Sequence, residues 1–194
     1  MTEKKATETR RDEIITASLK LIEEKGLDNL SVADIAAAIN LVPSAIYRHF
    51  GGKEDIIECL VDFVDRSLQA NVARVAGGKA AVEKLELLYK LHTDFLRTQP
   101  AIPLIMFSLL AGNRNPALKQ RMISVIASYV AEVRNIIAKG QPQGEIAAAI
   151  DPMSAALLFV GMIQPLIILN QAGDNSVDAF KKPLWDVYAR GIGK

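Results

Sequence analysis

The sequence predicts an all-helical protein, and three observations carry that expectation. Apolar residues recur at helical spacing almost without a break, alternating strand-like runs are nearly absent, and Gly and Pro fall in clusters that cut the chain into helix-length pieces. Half of the 194 residues are hydrophobic, which suits one or two packed domains. With 23 basic and 22 acidic side chains the net charge is +1, which excludes coating of nucleic acid by bulk charge and makes local charge the informative quantity.

The first helix is expected from Arg10, where Ile14, Ile15, Leu19 and Ile22 share a face, up to Gly26 as its C-terminal stop. "SVAD" then offers a capping box, Ser31 with Asp34 three residues on, for a short second helix that ends at Asn40. Asn tolerates the left-handed backbone that a tight turn requires. Pro43 suits the first turn of a third helix, and "SAIYRHF" carries that helix for about two turns to Gly51-Gly52. Lys53 opens a long fourth helix through Ile56, Ile57, Leu60, Phe63, Val64 and Leu68, ending near Ala76 to Gly78. Five larger helices follow, at about 80 to 98, 101 to 111, 117 to 139, 152 to 171 and 176 to 190. Pro165 and Pro183 are each expected to disturb the helix that contains them.

The remaining composition narrows the function classes. "SAALLFVGMIQPLIIL", Ser154 to Leu169, is shorter than the ~20 residues of a membrane span and contains Gln164 and Pro165. The polar start, "MTEKKATETRRDEI", has no apolar signal region, so a cytoplasmic location is expected. Cys59 is the single cysteine, and no zinc-type spacing exists. His49, His92 and Cys59 show no triad order and there is no glycine-rich phosphate loop, so an enzyme is not expected, nor a metal or cofactor.

What the third helix carries is more telling. Ile46 and Phe50 lie four apart and face inward, while Ser44, Tyr47 and Arg48 share the opposite face, flanked by Ala45 and His49. Two short helices joined by a turn of about four residues, the second with an outward hydrogen-bonding face, make a helix-turn-helix whose second element fits the major groove. Ser31, Tyr47, His49 and Lys53 suit phosphate oxygens, whereas Ser44, Ala45 and Arg48 suit base edges. Arg10 and Arg11, ahead of the first apolar stripe, suit an adjacent phosphate or the minor groove.

"RRDEIITASLKLIEEKG", "SVADIAAAINLVPSAIYRHF" and "GGKEDII" together resemble the DNA-binding domain of the TetR family of bacterial transcription regulators, over about residues 10 to 57. The resemblance implies a ligand-responsive repressor: a homodimer on a palindromic double-stranded DNA operator, with a C-terminal helical domain that binds a small effector. The family's usual DNA contacts fall here on Ser31, Ser44, Ala45, Tyr47, His49 and Lys53. The chain departs from the family pattern at Asn40, where Gly is usual, at Val42, where Ser or Thr commonly caps the recognition helix, and at Gly52, where Ser is frequent. The expected organisation is a DNA-binding domain over 1–52 and an effector-binding and dimerisation domain over 53–194, with the helix from Lys53 as connector.

Residues 80 to 194 carry no signature of chemistry. By resemblance, the last two expected helices pair with their twins in a four-helix bundle, and Ala155, Ala156 and Gly161 would allow close approach. Candidate pocket walls are Phe95, Met106, Phe107, Met122, Tyr129, Phe159 and Met162, with His92 and Gln164 as polar anchors. The methionines favour a hydrophobic effector. A rival reading keeps the fold as a helical binding module for a small molecule or partner, one that has ceased to bind DNA.

Overall fold

The computed structural model describes residues 2–78, 80–112, 115–171 and 176–193. Among these residues there are ten helices and no strand: α1 Thr2–Lys25, α2 Val32–Ala38, α3 Pro43–Ile46, α4 Lys53–Arg74, α5 Ala81–Thr98, α6 Ala101–Ala111, α7 Pro116–Gly140, α8 Pro152–Gly161, α9 Gln164–Gln171 and α10 Ser176–Ile192. The all-helical class is as the sequence predicts. Three boundaries differ from expectation, and one helix runs through a proline.

α1 begins eight residues before Arg10. No Gly or Pro precedes Gly26, and Thr2 to Arg10 sets two Lys, two Glu, one Ala and one Arg, all good helix formers, beside three Thr, so the element extends beyond its apolar stripe. α3 is one α-turn rather than two. After Ile46 the hydrogen-bond spacing becomes mixed, with His49 N–H and Phe50 N–H both donating to the Ile46 carbonyl, at 2.9 and 3.0 Å. The expected helix at 152 to 171 is two helices, α8 and α9, broken at Met162 and Ile163. Pro165 causes this: it has no N–H and its ring crowds the carbonyl four residues back, so it is accommodated only in the first turn of a new helix. Pro183, by contrast, lies inside a continuous α10 on its exposed side, and Ala179, whose carbonyl it has no N–H to bond, is exposed as well.

The chain forms two compact units, Met1–Asp65 with Gln99–Ile123, and Arg66–Thr98 with Ser124–Lys194. In the first, α1 packs on α2 and α6, and α2 on α3. Its core contains Ile14, Ile22, Ile35, Ile46, Phe50, Ile56, Leu60, Ile105 and Met122. Arg121 pairs with Asp62 at 2.9 Å and reaches Asp65 at 3.6 Å, joining the start of α7 to α4.

The second unit is built around α5, the later part of α7, α8, α9 and α10. Tyr89 stacks on Trp185 with centroids 5.8 Å apart and meets Phe159 edge-on at 6.3 Å; Phe159 in turn meets Tyr188 at 5.6 Å. The hydroxyls of both tyrosines find acceptors, Tyr89 donating to the Lys181 carbonyl at 2.9 Å and Tyr188 to the Ala155 carbonyl at 3.1 Å. Asp151 caps α8 by accepting from Ser154 N–H at 2.7 Å, which holds its carboxyl below the usual range. Gly140 closes α7 where no larger residue fits, since an added Cβ there would come 2.5 Å from that of Ala81.

On the outside of this unit, α8 exposes Leu157 (56%), Leu158 (61%) and Met153, and α10 exposes Phe180 and Val187 (63%). Phe180, Val187 and Gly191 follow helical spacing along one stripe, and a Cβ added at Gly161 or Gly191 meets nothing within 4 Å. Ala155 and Ala156 are buried within the unit instead of lying on this face. α8 turns those two alanines inward, with Tyr188 bonded to the Ala155 carbonyl, so they do not lie on the surface where close approach is expected.

Candidate nucleic-acid interface

The helix-turn-helix is built by local rules. Ser31 is the N-cap of α2, its hydroxyl accepting from Asp34 N–H at 3.1 Å, with extended backbone (φ −132°, ψ 153°). Lys25 and then Ser31 hydrogen-bond to the Asp34 carboxylate and hold its pKa below the usual carboxylate value. At the other end of α2, Asn40 adopts φ 55°. Its N–H donates to the Ala37 carbonyl at 3.2 Å, and Leu41 N–H donates to the Ala36 carbonyl at 2.8 Å. These paired bonds close a helix when the residue beyond its cap is left-handed, which is the role expected of Asn40.

Val42 stands at the N-cap of α3 and makes no side-chain cap, while Pro43 fixes the first turn. Ile46 is fully buried and Phe50 nearly so. That burial leaves Ser44, Tyr47 (56% exposed) and Arg48 outward, with Ala45 and His49 half-buried between the faces. His49 Nδ1 is buried with no hydrogen-bond partner among the described residues. At the entry to α4, Asp55 reaches back to accept from Gly51 N–H at 2.7 Å. Lys53 Nζ donates to the Asp28 carbonyl at 3.0 Å, a contact across 25 residues that local sequence does not announce.

The two arginines of α1 part company. Arg10 pairs with Glu13 on the exposed side. Arg11 turns inward: Nη1 donates to the His49 carbonyl at 2.5 Å, Nη2 lies 3.1 Å from Cys59 Sγ, and the guanidinium carbon sits 4.2 Å from the Phe50 ring centroid. Sequence reasoning groups Arg11 with Arg10, yet Arg11, Ile14, Ser18 and Ile22 fall at helical spacing, and that shared face is the available signal.

The candidate pocket residues divide between the units. Met106, Phe107 and Met122 lie in the first, where Met122 is buried and Phe107 is 43% exposed; His92, Phe95, Tyr129, Phe159, Met162 and Gln164 lie in the second. There His92 Nδ1 is 2.9 Å from Tyr129 Oη, with the rings edge-on at 5.0 Å. Burial pushes the His92 pKa down to about 4 and the Tyr129 pKa up. In the first unit, a cleft of about 270 Å³ is lined by Leu27, Asp28, Lys53, Glu54, Ser108 and Asn115 among others. Among the described residues, no group of three or more His, Cys, Asp or Glu is placed to hold a metal, and no helix is long and apolar enough to cross a membrane.

Comparison with known proteins accounts for both parts of the chain. Residues 14–60 match the family model of bacterial regulatory proteins of the tetR family, and residues 78–192 match that of the tetracyclin repressor-like C-terminal domain. The chain is 27% identical over 157 residues to the nucleoid occlusion factor SlmA of Aliivibrio fischeri (strain MJ11), covering 80% of each. Its fold is similar to that of the fatty acid degradation regulator FadR of Bacillus halodurans (TM-score 0.79, 22% identity, 93% and 95% covered). It is also similar to FadR of Bacillus subtilis solved with stearoyl-CoA (TM-score 0.75, 23% identity, 93% and 98% covered). With its helix-turn-helix and its C-terminal domain both matched, the chain belongs to the tetR family of bacterial regulatory proteins and is a DNA-binding transcriptional regulator.

Proposed function

We propose that this regulator is a ligand-responsive repressor that binds a palindromic operator as a homodimer and acts in the cytoplasm without catalysing a reaction. The observation that carries the reading is the outward face of α3, Ser44, Tyr47 and Arg48, opposite the buried Ile46 and Phe50. In this reading Ser44, Ala45 and Arg48 read base edges, with Arg48 donating two bonds to a guanine. Arg10, Ser31, Tyr47, His49 and Lys53 meet phosphates; Lys53 has donors to spare beyond its bond to Asp28. Residues 1–52, together with Lys53 at the start of the connecting α4, carry the DNA contacts, and the rest of 53–194 the effector and the dimer contact.

The effector of this proposal is hydrophobic. Support comes from the fatty acid regulators of similar fold, one of them solved with stearoyl-CoA, and from the burial of the paired His92 and Tyr129 rings in the second unit. Within the second unit, Phe95, Tyr129, Phe159 and Met162 remain its candidate walls, with His92 and Gln164 as polar anchors. Selection of duplexes from a random DNA pool by the purified protein tests the reading. Enrichment of a palindrome with half-sites about one helical turn (~34 Å) apart is expected, and release of that duplex on adding stearoyl-CoA or a shorter acyl-CoA. If no sequence is enriched and only steeply salt-dependent binding remains, the helical binding module replaces the repressor.

A further inference from the structure

We propose that Arg11 is a positioning residue: it sets the direction in which the recognition segment presents Ser44, Tyr47 and Arg48 to the bases, and does not itself touch DNA. This rests on the DNA-binding reading above. α3 has four residues and no side-chain cap at its start, and only Ile46 and Phe50 anchor its buried side. A helix of that length has almost no stability alone, so its direction is imposed from outside. Arg11 supplies the constraint past the far end, at the carbonyl of His49, three residues beyond Ile46.

Its three contacts are independent of one another. The His49 carbonyl fixes the backbone just beyond α3, the Phe50 ring centroid lies 4.2 Å from the guanidinium carbon, and Cys59 Sγ ties the same group to α4. One side chain of α1 thus joins the recognition segment to two longer helices. A lysine keeps the charge but has no planar fork to meet the His49 carbonyl and Cys59 Sγ at once while lying over the Phe50 ring, so the substitution is not conservative here.

The test compares wild-type protein with Arg11→Lys and Arg11→Ala on the duplex that the wild type enriches, across salt concentrations, with base preference read at each half-site position. Thermal melting checks folding. Both variants are expected to lose about tenfold or more in affinity, with relaxed base preference, while the slope of log affinity against log salt stays as in wild type. Phe50→Leu, which removes the ring, is expected to relax preference in the same direction, and together with Arg11→Lys it carries the test if Arg11→Ala does not fold. A slope reduced by about one unit per half-site in Arg11→Ala, restored in Arg11→Lys, makes Arg11 a phosphate contact and overturns the proposal. So does Arg11→Lys binding with wild-type affinity and preference. If the wild type itself enriches no duplex, it is the DNA-binding reading that falls.

Discussion

His92 is buried in the second unit, hydrogen-bonded to Tyr129, and its pKa is lowered to about 4 because burial disfavours the imidazolium. In the unfolded chain the same group titrates near ~6.5. Between these values the unfolded state binds a proton that the folded state does not, so stability is complete above about pH 6.5 and falls as pH drops toward 4. Each unit of pKa difference corresponds to about 1.4 kcal/mol, which puts the full loss on the order of 3 kcal/mol. The two carboxylates with lowered values, Asp34 and Asp151, lose their stabilising contribution only as pH falls below about 4, and do not blur this window. Chemical denaturation at pH 7 and pH 5 is expected to show the loss in wild type and a flatter response in His92→Gln. Equal slopes in both proteins remove His92 as the cause.

At the scale of the element, the turn between α2 and α3 depends on a backbone that most residues resist. Asn40 at φ 55° is the non-glycine residue with positive φ among those described. Asn40→Ala is expected to destabilise the protein by about 1 to 2 kcal/mol, because a Cβ without a side-chain hydrogen-bonding group is disfavoured there, while Asn40→Gly is expected to be close to neutral. Denaturant midpoints of the two variants check this; equal midpoints would show that the turn relaxes to another conformation. Much of this motif is legible in sequence, since caps, proline at a first turn and Asn in a left-handed turn act within four residues. The break between α8 and α9 and the tolerance of Pro183 are not legible equally. Both prolines remove the same hydrogen bond, and the outcome depends on what surrounds the unpaired carbonyl.

For the whole molecule, the exposed apolar residues of α8 and α10 are the feature that one chain leaves unexplained. Leu157, Leu158 and Val187 are more than half exposed, on helices whose opposite sides bury Phe159, Trp185 and Tyr188. Leucines are favoured in a buried interface and costly in water, and a four-helix bundle formed with the same helices of a second copy would cover them. Leu157→Glu with Leu158→Glu is expected to convert the dimer to a monomer in analytical ultracentrifugation, with operator binding abolished, since two recognition helices must dock together. A double variant that stays dimeric and binds its operator places the dimer contact elsewhere.

The sequence by itself determined the helical class, the helix-turn-helix with its caps and turn, and the outward polar face of α3, because each follows from spacing and backbone chemistry within a few residues. Only the tertiary structure decided the rest. Arg11 and Arg10 are neighbours in sequence, yet one joins three elements and the other pairs with Glu13 in solvent. Lys53 meets a carbonyl 25 positions away. Such contacts arise where separate helices happen to converge, and no period or motif within one helix encodes what the other brings to meet it.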